Sequence, residues 1–169
     1  MISFKMCMVG SYAVGKTSLV ARFVHSIYSD VYHTTIGVKI DKKIVSTDAG
    51  DANCLIWDIA GEDEFYTVRN SYLRGMAGYF LVLDRTRRVT LDTAISIHGR
   101  IRGMYPNVPS VVLLNKSDLA PEAEITDADL TYFGEQRMPV VSTSAKTGDG
   151  VEDAFRLLAG AMFARRQAS

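Results

Sequence analysis

The chain has 169 residues, enough for one domain with a sizeable core, and its Lys+Arg and Asp+Glu counts are equal at 19. That balance gives no argument for a nucleic-acid or anionic-membrane partner. With 47% apolar and 22% charged residues, no signal pattern and no apolar run long enough to span a bilayer, the composition excludes disordered and membrane classes. A soluble, cytoplasmic protein is expected. Cys7 and Cys54 lie in apolar strand-like stretches and read as buried free thiols rather than a disulfide or a metal site.

In chain order, Met1 to Val9 predicts the first strand. Gly10-Ser11-Tyr12-Ala13-Val14-Gly15-Lys16-Thr17 follows, and the helix it opens continues through Ser18 to about His25 or Ser26. This is G-x-x-x-x-G-K-T between a strand and a helix, the context that a phosphate-binding loop requires. Glycines let backbone N–H donors approach a polyphosphate, and the helix start adds its positive dipole end. Lys16 supplies a point charge to the outer phosphates, and the Thr17 hydroxyl is a ligand for Mg²⁺. A Gly-containing turn that happens to carry a lysine does not account for this context.

Ile27 to Gly37 has no clean period and holds Tyr28, Asp30, Tyr32, Thr34 and Thr35; it reads as a loop beside the phosphates. Val38–Thr47 and Asn53–Ile59 predict a hairpin around the turn signal Asp48-Ala49-Gly50-Asp51. Asp58 closes the second of these strands, where a phosphate-loop protein carries its second Mg²⁺ group. Glu62 to Arg74 reads as polar and partly helical. Tyr79–Asp84 and Val111–Leu114 predict buried strands, with a helix from Leu91 to about Met104 between them. A helix from Thr126 to about Arg137, a strand Val140–Thr143, a loop Ser144–Gly148 and a helix Val151–Arg165 complete the chain. Strands alternate with helices apart from one hairpin, which predicts an open α/β sheet with helices on both faces and ligands at the carboxyl ends of its strands.

Asn115-Lys116-Ser117-Asp118 sits at one such end. Guanine offers N1 and N2 donors that a carboxylate at Asp118 can accept, and adenine has no such pair. Asn115 can bond the purine edge and tie neighbouring loops, while the aliphatic stem of Lys116 can lie over the base. A polar turn is the bland reading of these four residues. Their place after a buried strand, downstream of a phosphate loop and Asp-x-x-Gly, argues against it.

Together, Gly10–Thr17, Thr35, Asp58–Gly61, Asn115–Asp118 and Ser144–Lys146 resemble the Ras superfamily of small GTPases over essentially the whole chain, here 1–169 as one G domain. Thr35-Ile36-Gly37, Ile56-Trp57-Asp58 and Ser71-Tyr72-Leu73-Arg74-Gly75 look most like its Rab branch. The resemblance implies a P-loop fold with a mostly parallel six-stranded sheet, one strand antiparallel. It implies a molecular switch that hydrolyses GTP. It implies that Thr17 and Thr35 bind Mg²⁺ directly, with Asp58 acting through a water. Thr35 and the Gly61 N–H would touch the γ-phosphate, making residues 27–38 and 61–74 the switches. Residues Ser11 to Ser18 would wrap the phosphates. Tyr28 matches the aromatic position that covers the base, Asp30 a position near the ribose, and Ser144, Ala145 and Lys146 the loop whose N–H recognises guanine O6. Protein effectors and regulators are implied through the switches, and a monomer is expected.

Three positions depart from the family pattern. Glu62 stands where the family usually carries the glutamine that orients the attacking water. Ionised glutamate only accepts hydrogen bonds and would lie near the γ-phosphate's charge. Glu62 is therefore turned away, or handles the water as a carboxylate, or is simply an exposed acid beside Asp63 and Glu64. A GTP-held binding module that scarcely hydrolyses is the alternative reading. Tyr12 replaces a small residue, and its ring would obstruct an arginine supplied in trans, donate to the γ-phosphate, or fold away. Ile59 replaces threonine without disturbing a backbone contact. The sequence carries no C-terminal cysteine box, so no prenyl anchor is expected. Arg85, Arg87 and Arg88 read as a solvated charge run, with a self-supplied arginine finger as the alternative. His25, His33 and His98 lack metal-ligand spacing.

Overall fold

The computed structural model describes residues 1–31, 34–62 and 67–169. Tyr32 and His33 of the expected first switch, and Asp63 and Glu64 of the expected second, lie outside the described residues. Six strands, β1 (Ile2–Gly10), β2 (Val38–Thr47), β3 (Gly50–Ile59), β4 (Gly78–Asp84), β5 (Ser110–Asn115) and β6 (Val140–Ser142), form one sheet in the order β2-β3-β1-β4-β5-β6. β2 runs antiparallel to β3 and the other pairs are parallel. The helices are α1 (Lys16–His25), α2 (Asn70–Leu73), α3 (Val89–Met104), α4 (Thr131–Glu135) and α5 (Val151–Ala168).

The two-residue period of the strands sorts the core into two layers. Met6, Met8, Phe80, Val82, Val111 and Leu113 pack on one face with α1 and α5, through Phe23, Phe155, Leu158 and Met162. Cys7, Val9, Tyr79, Leu81, Leu83 and Val112 pack on the other with α3 and α4, through Leu91, Ile97, Ile101 and Phe133. With both faces covered, β4 is buried at every position. No helix among the described residues is long and apolar enough to cross a membrane.

Two segments differ from the sequence expectation. The continuous helix over 126–137 is instead a 3₁₀ turn, Asp127–Leu130, followed by the short α4. The Asp129 carboxylate accepts from the Thr126 N–H and hydroxyl at 2.8 and 2.9 Å and from Arg88 Nη1 at 2.6 Å. These bonds fix a tight capping box there. Over 62–74, only Asn70–Leu73 is helical among the described residues.

Register places the functional loops on one edge. Met8 pairs with Asp58, Gly10 with Val82, Asp84 with Asn115, and Leu114 with Ser142. The carboxyl ends of five parallel strands therefore meet, and β1 is the point where successive strands turn to opposite sides.

Candidate functional site

A cleft of about 450 Å³ opens at that edge. Tyr12, Ala13, Gly15, Lys16, Thr17 and Ser18 form its floor, Tyr28, Asp30 and Thr35 one wall, and Gly61 and Lys116 its margins. The floor is the loop between β1 and α1. Ala13 holds φ 61° and Gly15 φ 102°, backbone that only glycine adopts without strain. A Cβ at Gly15 would collide with the Asn115 carboxamide, so only glycine lets the phosphate loop seat against the end of β5. Val14 is fully buried, which leaves only its main chain available to a ligand.

Lys16 folds back over its own loop. Its Nζ donates to Ser11 O at 2.8 Å and Gly10 O at 3.4 Å. Burial pulls the amine down to about 8, with Arg87 acting in the same direction and Asp58 and Glu62 opposing. Beside it, Thr17 Oγ1 lies 2.6 Å from Thr35 Oγ1 and donates to Asp58 Oδ2 at 2.6 Å. Thr35 Oγ1 donates to the same carboxylate oxygen at 3.4 Å. Asp58 is 1% exposed, its other oxygen Oδ1 has no hydrogen-bond partner among the described residues, and burial raises its pKa. Two hydroxyls and a buried carboxylate with an unsatisfied oxygen are the hard-oxygen donor set that suits Mg²⁺.

At the other end of the cleft, Asn115 Nδ2 donates to Val14 O at 3.0 Å and its Oδ1 accepts from Thr143 Oγ1 at 3.1 Å. The residue thus ties the phosphate loop to β5 and β6. Ser144 Oγ donates to Asp118 Oδ1 at 2.7 Å and accepts from Thr147 N at 3.0 Å. Lys116, at φ 68°, donates to Asp84 Oδ2 at 2.7 Å and to Ala13 O at 3.3 Å. Asp118, Ser144, Ala145 and Lys146 adjoin the cleft through this loop and do not line it. Tyr28 is exposed, and its hydroxyl is pushed up by what burial it has and by Asp30.

The sequence reading missed four supporting residues. Arg22 on α1 donates from Nε to Ala145 O at 2.8 Å and from Nη2 to Lys146 O at 2.5 Å, clamping that loop by its carbonyls. Thr143 holds Asn115. Asp84, fully buried, accepts from Lys116, the Thr86 N–H at 2.9 Å and the Thr86 hydroxyl at 2.6 Å. An acid ending an apolar strand singled out Asp58, and the same signal was present at Asp84. Arg100 is the fourth.

Glu62 is 7% exposed, which removes the reading of an exposed acid. Its N–H donates to Gly10 O and its carbonyl accepts from Tyr12 N, both at 3.0 Å, in a bridge between Ser11 and Glu62. Ser11 Oγ reaches the same carbonyl at 3.5 Å. The Glu62 carboxylate accepts from Val68 N at 2.9 Å and from Arg100 Nη2 on α3. In this arrangement both partners of Oε1 lie outside the phosphate loop, one just before α2 and one on α3. The arginines after β4 are partly or fully exposed, and each has a hydrogen-bond partner. Arg85 donates to Ser142 Oγ at 2.6 Å, Arg87 to Tyr12 O at 2.9 Å, and Arg88 to Asp129. A close approach of Gly61 to the Tyr12 main chain, 2.6 Å from a would-be Cβ to Tyr12 Cα, leaves no room for a side chain there.

Comparison with known proteins agrees with this geometry. The sequence profile of the Ras family matches residues 5–164. The Ras-related protein Rab-4B of Rattus norvegicus is 35% identical over 154 residues, 90% of this chain and 72% of that protein. The Ras-related protein Rab-1 of Theileria parva is 34% identical over 162 residues, 94% of this chain and 74% of that protein. The GTP-binding protein YPTM2 of Zea mays is 34% identical over 161 residues, 94% and 79% respectively. A match of this extent, on a sheet whose loops converge at one nucleotide-sized cleft, means that the chain belongs to the Ras family and is a Rab-like, GTP-binding small GTPase.

Proposed function

We propose that the chain, as one G domain over residues 1–169, is a Mg²⁺-dependent switch that binds GTP and hydrolyses it slowly, signalling through residues 27–38 and 61–74. The observation that carries this reading is the meeting of Thr17, Thr35 and Asp58 oxygens within 2.6–3.4 Å beside the Lys16 amine. Thr35 comes from the loop before β2 and Asp58 from the end of β3, so a ligand that engages both would order the first switch segment. Thr17, Thr35 and Asp58 would hold the cation, which would neutralise charge on the β- and γ-phosphates.

The remaining roles fall to the chain's own groups. Main-chain N–H donors of residues 13–18 bind the phosphates, and Lys16 neutralises their outer charge. Asp118, oriented by Ser144, accepts from guanine N1 and N2. Lys116, oriented by Asp84, lays its stem on the base. Arg22 turns the Ser144–Lys146 loop so that its N–H groups face the ring. Tyr28 covers the base from the opposite side, and Asp30 sits near the ribose. Protein effectors and regulators engage the switches, no nucleic acid takes part, and the protein works as a cytoplasmic monomer.

The engagement of Glu62 with Arg100 favours a second reading, a GTP-held binding module with little turnover. Single-turnover hydrolysis with Mg²⁺ separates the two. Turnover on the order of 10⁻⁴ s⁻¹ or faster supports the timed switch. Retained GTP with no turnover, and hydrolysis gained in Glu62→Gln, supports the binding module. Purification with adenine nucleotide instead would sink both.

A further inference from the structure

Arg100 lies on α3, 38 residues beyond Glu62, and lines no part of the nucleotide cleft. Its guanidinium nevertheless takes the one side chain that the family pattern places at the attacking water. Two main-chain bonds anchor Glu62, and two further contacts fix the direction of its side chain. The Glu62 main chain is bonded on both sides to the phosphate loop, through Gly10 O and Tyr12 N at 3.0 Å each. The Val68 N–H at 2.9 Å and the Arg100 guanidinium then hold Oε1. The Glu62 side chain is 9% exposed and that of Arg100 36%, so the acid is shielded while the base remains reachable from solvent.

We infer that Arg100 is a positioning residue that acts as a brake: it withholds the Glu62 carboxylate from the hydrolytic water, and hydrolysis accelerates when the pair is broken. The inference rests on the GTPase reading above. In the reaction, the water oxygen bonds to the γ-phosphorus as the bond to the β–γ bridging oxygen breaks. The bridging oxygen leaves with its electron pair on GDP, and the water proton passes to the phosphate product. A carboxylate that accepts a hydrogen bond from that water can orient it, and for orientation an acceptor is enough. Charge repulsion from the γ-phosphate is offset locally by Lys16 and by Arg87, whose guanidinium already sits on Tyr12 O. Glu62 thus has the chemistry for the task and is kept from it by an ion pair on the far side of the bridge.

The test is single-turnover hydrolysis of GTP with Mg²⁺ in the parent, Arg100→Ala, Arg100→Lys, Glu62→Ala and the Glu62→Ala/Arg100→Ala double variant. GTP affinity is measured alongside with a fluorescent analogue. Arg100→Ala should raise the rate by roughly tenfold or more, leave affinity within about twofold because Arg100 is outside the cleft, and speed amide exchange at Val68. Arg100→Lys should restore the slow rate. In the Glu62→Ala background, loss of Arg100 should change nothing. An unchanged or slower Arg100→Ala, or acceleration that persists without Glu62, overturns the brake. Either result leaves the GTPase reading standing if the parent still binds GTP and turns it over, whereas loss of GTP binding in the parent removes that reading itself.

Discussion

Replacing Asp84 by asparagine isolates the support of Lys116. Asparagine keeps the shape, so no cavity opens, and its carbonyl can still accept from the Thr86 N–H now bonded at 2.9 Å. The loss falls on Lys116, whose ammonium lies 2.7 Å from Asp84 Oδ2 and would face an amide or a neutral oxygen. A hydrogen bond between charged groups contributes about 1.5–3 kcal/mol net. The Lys116 side chain is 32% exposed while that of Asp84 is 0%, so water recovers part of the lysine's loss. About 1.5–2 kcal/mol is expected. It should appear as a lower unfolding free energy in urea and as a roughly 10–30-fold weaker grip on a fluorescent GDP analogue. The same change in a Lys116→Met background should cost far less, giving a coupling energy of about 1.5 kcal/mol or more. Strictly additive effects with unchanged GDP affinity would refute the claim that Asp84 acts through Lys116.

Two further outcomes follow from the core and from the buried lysine. Phe155 is fully buried, stacked on Phe23 at 3.7 Å between centroids and tilted against Phe80 at 4.7 Å. Phe155→Ala should cost about 3–5 kcal/mol and lower Tm by roughly 10 °C; calorimetry showing a drop under 2 °C would mean the α5 layer repacks freely. Lys16 titrates near 8, below its ordinary 10.5, so the neutral amine is populated as pH rises through that value. Bound polyphosphate favours the ammonium, so Mg·GDP binding should take up protons between about pH 8 and 10.5 and none well below pH 8. Titration calorimetry at pH 8.5 in buffers of different ionisation enthalpy should give different heats, and identical heats would show that Lys16 stays charged without nucleotide.

The parts of the site legible in the sequence are those whose chemistry is local. Gly10–Thr17 joins a strand to a helix within eight residues, and Asn115–Asp118 ends a buried strand. The alternation of strand and helix put both at one sheet edge. The continuous apolar runs Met6 to Val9 and Tyr79 to Leu83 marked strands covered on both faces. The helix expected over 126–137 opens at Thr126 through a capping box but is split into a 3₁₀ turn and a short α-helix; the Asp129 carboxylate also bonds Arg88, 41 residues away, a partner of which periodicity carries no trace.

The sequence by itself determined the phosphate-loop motif between a strand and a helix and the Asn-Lys-x-Asp motif at a strand end, because each depends on residue type at short spacing. Tertiary structure alone decided who holds those groups in place. Arg22 meets the Ala145 carbonyl 123 residues on, Asp84 meets Lys116 32 residues on, and Glu62 meets Arg100. Such pairs form only once the order β2-β3-β1-β4-β5-β6 has brought distant strand ends together. Whether an acid is exposed or tethered is set by that packing and not by its neighbours in the chain, which is why Glu62 could be named from sequence but its direction could not.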